Sequence, residues 1–335
     1  MWPDDSQPGL NILIRALWAL ALLAAVHPAP AQPITAAAVT VQPVRIIVPF
    51  LNGDIDDSVA RIVVNKIDNS PRRPFVVENR PGDHGHHGAE VVAKARADGR
   101  TLLFAPIAEY AAAASLYTGL HYDLLAEFTP VTRVANAPHV LAVHPSLPVK
   151  SVTDLIAFAK AMPGQIKWGS HGKISLSRLE AEMFGNLGGV KIDSIPFSDD
   201  TALQELLAGS VALLFDSIVT TLPHLRSGKL RALAVAGTTR SPALAQVPTV
   251  AQAGVRGFEA DYWYGILAPE GTDQAVVNRL NAEFAKAVND DDVTKRLLVY
   301  GIEARGGSPA EFATIVRSEV AKWAQVIKRA GITPN

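Results

Sequence analysis

The sequence predicts an α/β protein built in two successive blocks. Short runs of apolar, β-branched residues alternate with segments whose apolar residues recur every three to four positions, the spacing of an amphipathic helix. Such alternation is typical of βαβ units around a mostly parallel sheet. It pauses once near the middle of the chain and then resumes, so the 335 residues divide into two α/β blocks.

The composition limits the classes of function. Hydrophobic residues make up 48% of the chain and charged residues 19%, so the chain can bury a substantial core. A formal net charge of −1 gives no support for nucleic acid as a partner. The absence of cysteine excludes disulfides, thiolate metal sites and a cysteine nucleophile.

The N-terminus has the pattern of an export signal. An apolar run, ALWALALLAAV (16–26), follows Arg15 and is too short to span a bilayer, but it fits the central region of a signal peptide. A small–x–small pattern ends at Ala31, so we predict a signal peptide over 1–31 and a mature protein outside the cytoplasmic membrane. The alternative is an uncleaved anchor over 10–26, and Arg15 argues against it.

The first block opens after a polar, alanine-rich leader. Strands are predicted where aliphatic and β-branched residues run together, and helices where apolar residues recur at helical spacing. The predicted order is strand 44–50, helix 58–67, strand 74–80, helix 88–99 and strand 101–107. The following stretch, YDLLAEFTPVTRVANAP, shows no clear periodicity.

The second block repeats the alternation, and a helical C-terminal part follows it. The predicted order is strand 139–148, helix 151–164, strand 166–170, helix 175–189, strand 190–197, helix 200–210, and strands 211–217 and 230–237. Beyond 272 the chain is predicted to be helical. Ser308 with Glu311 forms a capping box for the last helix, and Gly331 closes it.

Ligands of such folds bind at the carboxyl ends of strands, where helix N-termini present free N–H groups. The loop PFLNGDIDDSVAR (49–61) places three carboxylates directly after the first strand. Asp56 and Asp57 precede the predicted helix, and we expect one of the two to cap it, an interaction typically worth about 1 kcal/mol. Asp54 is too early for that helix and is therefore the better candidate for facing a cleft.

A second strand–helix junction offers groups that suit an anion. Ser170, Gly172 and Ser175 supply hydroxyl and N–H groups that fit a carboxylate, and helix capping is a compatible alternative. Arg178 either meets an anionic ligand or forms a surface pair with Glu182, and we favour the surface pair.

Two further residues are candidates because of where they lie along the chain. Asp216 ends a predicted strand and is expected near the cleft or the hinge. Tyr264 lies in YWYG (262–265), where aromatic residues more often pack than contact ligands; we keep it as a candidate contact.

The segment HGHH (84–87) resembles a metal site in its chemistry only. Three imidazoles near Asp83 are possible zinc or nickel ligands. His86 and His87 are adjacent and would diverge, so we favour a solvated loop over a cleft role or a metal site, and we predict no metal and no cofactor. The nucleophile-elbow, P-loop and dinucleotide motifs are absent, so we expect no enzymatic activity.

Several stretches together resemble one family, the Bug-type periplasmic solute-binding receptors of tripartite tricarboxylate transporters. They include VRIIVPF, VVENRPG, GAEVVAKARADGRTLLFAP and SPAEFATIVRSEVAKWAQVIKRAGI, and they cover nearly all of 44–332 in the family's order. The resemblance implies the type II periplasmic-binding-protein fold (a Venus flytrap) with two crossover strands. Domain 1 would comprise 43–142 and 262–335, and domain 2 would comprise 143–261.

The resemblance also implies a function. The protein would be a periplasmic monomer that captures a small organic acid, a carboxylate, by domain closure and delivers it to membrane transporter subunits. Two alternatives stay open: a relative with a changed ligand, which would be amine-bearing, zwitterionic or neutral, and a sensor subunit that signals to a membrane kinase.

The cleft loops depart from the family's pattern. Where the family has P-F-x-P-G-G-G-x-D, this chain keeps Gly53 and Asp57 but has Asn52, Asp54 and Ile55 in place of a proline and two glycines. Those glycines would let backbone N–H groups approach a carboxylate, whereas Asp54 adds negative charge. The family's V-P-Y-K-G becomes IPFSD (195–199), without the lysine or the glycine. The residues expected to contact the ligand are Asn52, Gly53, Asp54, Asp57, Ser170, Gly172, Ser175, Phe197, Asp199, Asp216 and Tyr264.

Overall fold

Two mixed β-sheets organise the protein. The computed structural model describes residues 42–67, 74–173, 175–198 and 201–333, so the predicted signal peptide over 1–31 lies outside the described residues. The strands of the first sheet are β1 (Val44–Val48), β2 (Phe75–Asn79), β3 (Thr101–Pro106), β4 (Phe128–Asn136), β10 (Trp263–Pro269) and β11 (Glu303–Ala304). Their order is β11-β4-β10-β3-β1-β2. β1 is parallel to both β2 and β3, whereas β10 is antiparallel to β3 and β4.

The second sheet contains the strands between the two crossings of the chain. They are β5 (His139–Val143), β6 (Lys167–His171), β7 (Asp193–Phe197), β8 (Leu213–Ser217) and β9 (Arg231–Val235). The order is β7-β6-β8-β5-β9. β6 is parallel to β7 and β8, and β5 is antiparallel to β8 and β9.

Helices connect the strands and form the C-terminal part. They are α1 (Ile55–Val64), α2 (His86–Ala93), α3 (Ile107–Leu116), α4 (Val152–Ala161), α5 (Leu176–Gly188), α6 (Ala202–Leu207), α7 (Ile218–Arg226), α8 (Gln274–Val288), α9 (Asp291–Val299) and α10 (Pro309–Ala330). Within the described ranges, no helix combines the length and apolar character needed to cross a membrane.

The chain passes between the sheets twice, at adjacent places. β4 leads into β5 through Ala137 and Pro138, and the return runs from β9 to β10. Trp263 of β10 lies opposite Asn136 of β4, and the Ala137 amide donates to the Tyr262 carbonyl at 2.9 Å. The two-sheet α/β architecture with two crossings confirms the predicted fold class. The domain boundaries predicted at 142/143 and 261/262 stay a prediction.

The helices pack closely on the sheets through apolar contacts. Every residue of β3 is buried, as expected for a strand covered on both faces. Helix α10 approaches β10 so closely that a Cβ on Gly265 would lie 2.0 Å from Cζ of Phe312. The capping box of Ser308 and Glu311 is present, and Gly331 closes α10 with a left-handed conformation at φ 64°. Both predictions for this helix are therefore confirmed.

Several elements differ from the prediction. α1 begins at Ile55, three residues earlier than predicted. β4 carries a proline, Pro130, at an irregularity in its pairing with β10, which obscured the strand pattern. α3 is apolar on nearly every side and so shows no helical periodicity, and α7 contains Pro223, which argued against a helix.

Candidate ligand-binding cleft

A cavity of about 830 Å³ lies between the two sheets. One wall is formed by residues that follow β1, β2 and β3, and the other by residues that follow β6 and β8. His139, Tyr262 and Tyr264, at the two crossings, also line it. Carboxyl ends of strands from both sheets therefore meet at one cavity, as the α/β class predicted.

Asp56 is the buried carboxyl group of the first wall. It is the second residue of α1, and only 9% of the residue is exposed. Burial, followed by the charge of Glu109, raises its pKa to about 7, although a hydrogen bond with Tyr264 acts in the opposite direction. Its Oδ1 atom is buried without a hydrogen-bond partner among the described residues, and the side chain lines the cavity. Asp56 therefore lines the cleft. The N-cap residue of α1 is Asp54, so the expectation that Asp56 or Asp57 caps this helix is wrong.

Glu109 lies beside Asp56 on the same wall. It enters the cavity from the first turn of α3, directly after β3. The Tyr262 hydroxyl donates to Glu109 Oε1 at 2.6 Å. Tyr264 hydrogen bonds with Asp56, so the hydroxyls of Tyr262 and Tyr264 are each matched to a carboxyl group. Burial raises the pKa of both tyrosines well above the usual value, so both remain protonated donors.

Asp57 holds the loop from behind. Its carboxylate accepts hydrogen bonds from the Gly53 amide at 3.0 Å, from Arg61 Nε at 2.8 Å and from Asn79 Nδ2 at 2.9 Å. Burial opposes ionisation of Asp57, but these bonds, led by that of Arg61, lower its pKa. Asp57 is not among the cavity-lining residues, so its place fits a loop-positioning role.

The other candidates of this loop lie at its exposed edge. Asp54 is the N-cap residue of α1, not a residue too early for it, and its Oδ2 accepts from the Leu51 amide at 3.0 Å. It lines the cavity as predicted. Asn52 and Gly53 are exposed and lie outside the cavity lining, and Gly53 has φ 91°, a conformation that favours glycine.

The second wall contains the start of α5. Ser175 caps this helix, and its hydroxyl accepts from the Arg178 amide at 3.3 Å. Gly172, Lys173 and Ser175 all line the cavity. Leu176 and Ser177 begin the helix, so their backbone N–H groups have no carbonyl partner within it. The predicted helix-capping role of Ser175 is confirmed, and the residue also lies at the cavity.

Three further predicted contacts lie away from the cavity or outside the described residues. Ser170 is fully buried behind the wall, where its hydroxyl donates to the Gly172 carbonyl and accepts from Ser194. Phe197 packs with a side cluster of the second sheet and does not line the cavity. Asp199 lies outside the described residues. Arg178 lies 3.9 Å from Glu182, which confirms the favoured surface pair.

Asp216 reaches the cavity from the end of β8. Its Oδ1 accepts from the Ser217 amide at 2.7 Å and lies 3.2 Å from Nε2 of His171. Its Oδ2 is buried without a partner in the described part of the chain. Its predicted position near the cleft is therefore confirmed.

Histidines contribute more to the cavity than the sequence suggested. His139 Nδ1 lies 2.7 Å from Glu180 Oε2 in a buried pair. Burial alone would lower the pKa of His139, but the Glu180 carboxylate outweighs it and raises that pKa. This pair fixes one side chain of the cavity lining at the first crossing.

The HGHH segment is partly buried instead of solvated. His86 is 7% exposed, and its Nδ1 lies 2.8 Å from the Tyr122 hydroxyl. Burial lowers the pKa of His86. His84 and His86 line the cavity, whereas His87 is exposed, so the solvated-loop prediction is wrong for His86. Across the described ranges there is no cluster of side chains suited to hold a metal ion.

Sequence reasoning missed Asp56, Glu109 and His171 as cavity residues. Asp56 and Glu109 follow strands closely and His171 ends one, so the carboxyl-end rule applied to every polar residue at these strand ends would have selected them. Asp56 was attributed to helix capping, because the predicted helix start was three residues too late.

Comparison with known proteins relates this architecture to one family. The family described as "Tripartite tricarboxylate transporter family receptor" matches residues 59–332. The solved structure of R. palustris Rpa4515 with adipate is 36% identical and covers 88% of this chain and 98% of its own, with a TM-score of 0.74. The periplasmic binding protein BugD is 30% identical, with 88% and 99% covered and a TM-score of 0.71. MatC from Rhodopseudomonas palustris with bound malate is 31% identical, with 86% and 99% covered and a TM-score of 0.70.

Proposed function

This chain belongs to the tripartite tricarboxylate transporter receptor family, a family of periplasmic solute-binding proteins, and we propose that its cleft captures a small organic acid. The cleft closes on the acid, and the closed receptor delivers it to a membrane transporter of the tripartite tricarboxylate type. The protein reaches the periplasm through cleavage of its signal peptide after Ala31, and it acts as a monomer without enzymatic chemistry.

The observation that carries this proposal is the N-terminal end of α5 at a cavity shared by both sheets. Leu176 and Ser177 present N–H groups at the positive end of the helix dipole, and Lys173 adds a charge beside them. Rpa4515 and MatC, which this chain resembles along most of its length, were solved with adipate and malate, and both compounds are carboxylic acids.

Binding of organic acids is tested by calorimetry on the protein purified from the periplasm of an expressing host. A panel of mono-, di- and amino-carboxylic acids should contain at least one compound with a Kd below 100 μM. Lys173→Ala should weaken binding of that compound about fivefold, since one exposed ion contact contributes about 1 kcal/mol. Lys167→Ala is the matched control, because Lys167 starts β6, the strand that precedes Lys173, is exposed and lies outside the cavity lining. A panel in which no acid binds would contradict the proposal.

Closure is tested by fluorescence energy transfer. The chain has no cysteine, so Arg96→Cys with Lys191→Cys gives one labelling position beside each sheet. The transfer efficiency should rise when the acid binds and should fall back to its starting value when the acid is removed. An unchanged efficiency at saturating acid would rule out closure.

Export and delivery have separate tests. Mass spectrometry of the periplasmic protein should give the mass of residues 32–335, and size-exclusion chromatography should give a monomer. Uptake of the labelled acid by cells should require this receptor together with the membrane subunits. Uptake that persists without the receptor would contradict the proposal that this protein delivers the acid to the transporter.

A further inference from the structure

The first wall of the cleft presents hydrogen-bond acceptors to the cavity. Glu109 and Asp56 lie together there, and the neighbouring hydroxyls of Tyr262 and Tyr264 are already bonded to them. Asp54 adds a third carboxylate at the edge of the same wall. A carboxylate of the ligand would meet negative charge on this side, with both tyrosine hydroxyls already engaged.

Asp56 is also incompletely bonded. The residue is nine-tenths buried, faces the cavity, and has an Oδ1 atom with no partner among the described residues. A buried carboxylate needs charge-assisted hydrogen bonds or a cation to offset its loss of hydration. Once ionised, Asp56 would therefore be stabilised by a donor or a cation placed in the cavity that this residue lines.

The charges of the whole cavity are asymmetric. Its lining has four carboxyl groups, one lysine and four histidines. The carboxyl groups belong to Asp54, Asp56, Glu109 and Asp216, the lysine is Lys173, and the histidines are His84, His86, His139 and His171. Lys173 and the N-terminus of α5 lie on the second wall, away from the Asp56–Glu109 pair. A ligand with a cationic end and an anionic end would match this arrangement, whereas a dianion would face repulsion at one end.

We infer that the solute carries a protonated amine as well as a carboxylate, and that the amine lies against Asp56 and Glu109. This inference rests on the proposed function, because the carboxylate end is assigned to the start of α5. Asp56 occupies the variable position of the loop pattern after β1, so the amine site is a feature of this chain's own residues.

Matched ligands of equal length separate the two ends. Calorimetry at pH 8 compares succinate, 4-aminobutanoate and 1,4-diaminobutane, and then adipate, 6-aminohexanoate and 1,6-diaminohexane. In at least one series the amino acid should bind at least tenfold more tightly than the diacid and the diamine. If the diacid binds most tightly, the amine inference is overturned and the proposed function stands. If the diamine binds most tightly, the organic-acid assignment is overturned. Binding of none at 1 mM overturns both.

Variants locate the amine. Asp56→Asn should weaken binding of the preferred amino acid at least tenfold without weakening that of the diacid, and Glu109→Gln should act in the same direction. Asp292→Asn is the matched control: Asp292 is the second residue of α9, as Asp56 is of α1, but it is exposed and lies outside the cavity lining. If Asp216→Asn abolishes the preference and Asp56→Asn does not, the assigned location is wrong.

Discussion

Replacing Asp56 by asparagine should change how the stability of the ligand-free receptor depends on pH. Burial, and next the charge of Glu109, raises the pKa of this carboxyl group from its usual 3.8 to about 7. The folded protein therefore holds the proton to a higher pH than the unfolded chain does. The stability linked to this proton is fully present below about pH 3.8 and is lost as the pH rises through 7.

The size of the effect follows from the difference between the two pKa values. One pKa unit corresponds to about 1.4 kcal/mol, so the folded state loses about 4 kcal/mol in total as Asp56 ionises. About 3 kcal/mol of this falls between pH 5 and pH 8.5. Asparagine has a similar shape and does not titrate. The free energy of unfolding of Asp56→Asn should therefore rise relative to the wild type by about 3 kcal/mol between these two pH values.

Urea unfolding followed by tryptophan fluorescence measures this difference. Wild type, Asp56→Asn and the exposed control Asp292→Asn are unfolded at pH 5 and at pH 8.5 without ligand, and equal m-values show that the same transition is compared. The control should differ from the wild type by nearly the same amount at both pH values. A gap between Asp56→Asn and wild type that changes by less than 0.5 kcal/mol would refute the reasoning, because Asp56 would then titrate alike in the folded and unfolded states.

Three further substitutions test packing, capping and the loop network by urea unfolding. Gly265→Ala should lower the free energy of unfolding by about 2 kcal/mol or more, because the new Cβ would lie 2.0 Å from Phe312. Gly119→Ala, whose Cβ would have no atom within 4 Å, should change that free energy by no more than about 0.5 kcal/mol. Equal effects of the two substitutions would contradict the packing argument. Ser308→Ala should cost about 1 kcal/mol through loss of the capping box, and no change in the midpoint would show that the box is dispensable. Asp57→Asn should lower the free energy of unfolding by about 2 kcal/mol at pH 7. This loss should shrink as the pH falls below 3.8, because the pKa of Asp57 is lowered in the folded state. A loss that grows in acid would argue against the role of the ionised Asp57.

The three acids of the first loop show how a local rule can misplace a side chain. The sequence predicts a helix that starts at Ser58, so one of Asp56 and Asp57 is expected to cap it and Asp54 to face the cleft. The helix begins at Ile55, and successive residues of a helix point about 100° apart. Asp56 therefore turns towards the cavity while Asp57 turns towards Arg61 and Asn79 behind the loop. An error of three residues in one boundary was enough to exchange these roles.

The α/β class, the two blocks and the strand–loop junctions that form the cleft were all predictable, because they follow from periodicities and caps within ten or fifteen neighbouring residues. The collinear resemblance to known receptors additionally predicted the family and the two crossings of the chain between the sheets. The meeting of Asp56 with Glu109 and Tyr262 was not predictable in this way. Glu109 follows Asp56 by 53 positions, and Tyr262 follows Glu109 by 153. The three residues meet only because β1, β3 and β10 lie in one sheet. Burial and unmatched charge at such a place are properties of the assembled sheets, so only the tertiary structure decided which carboxyl groups face the ligand.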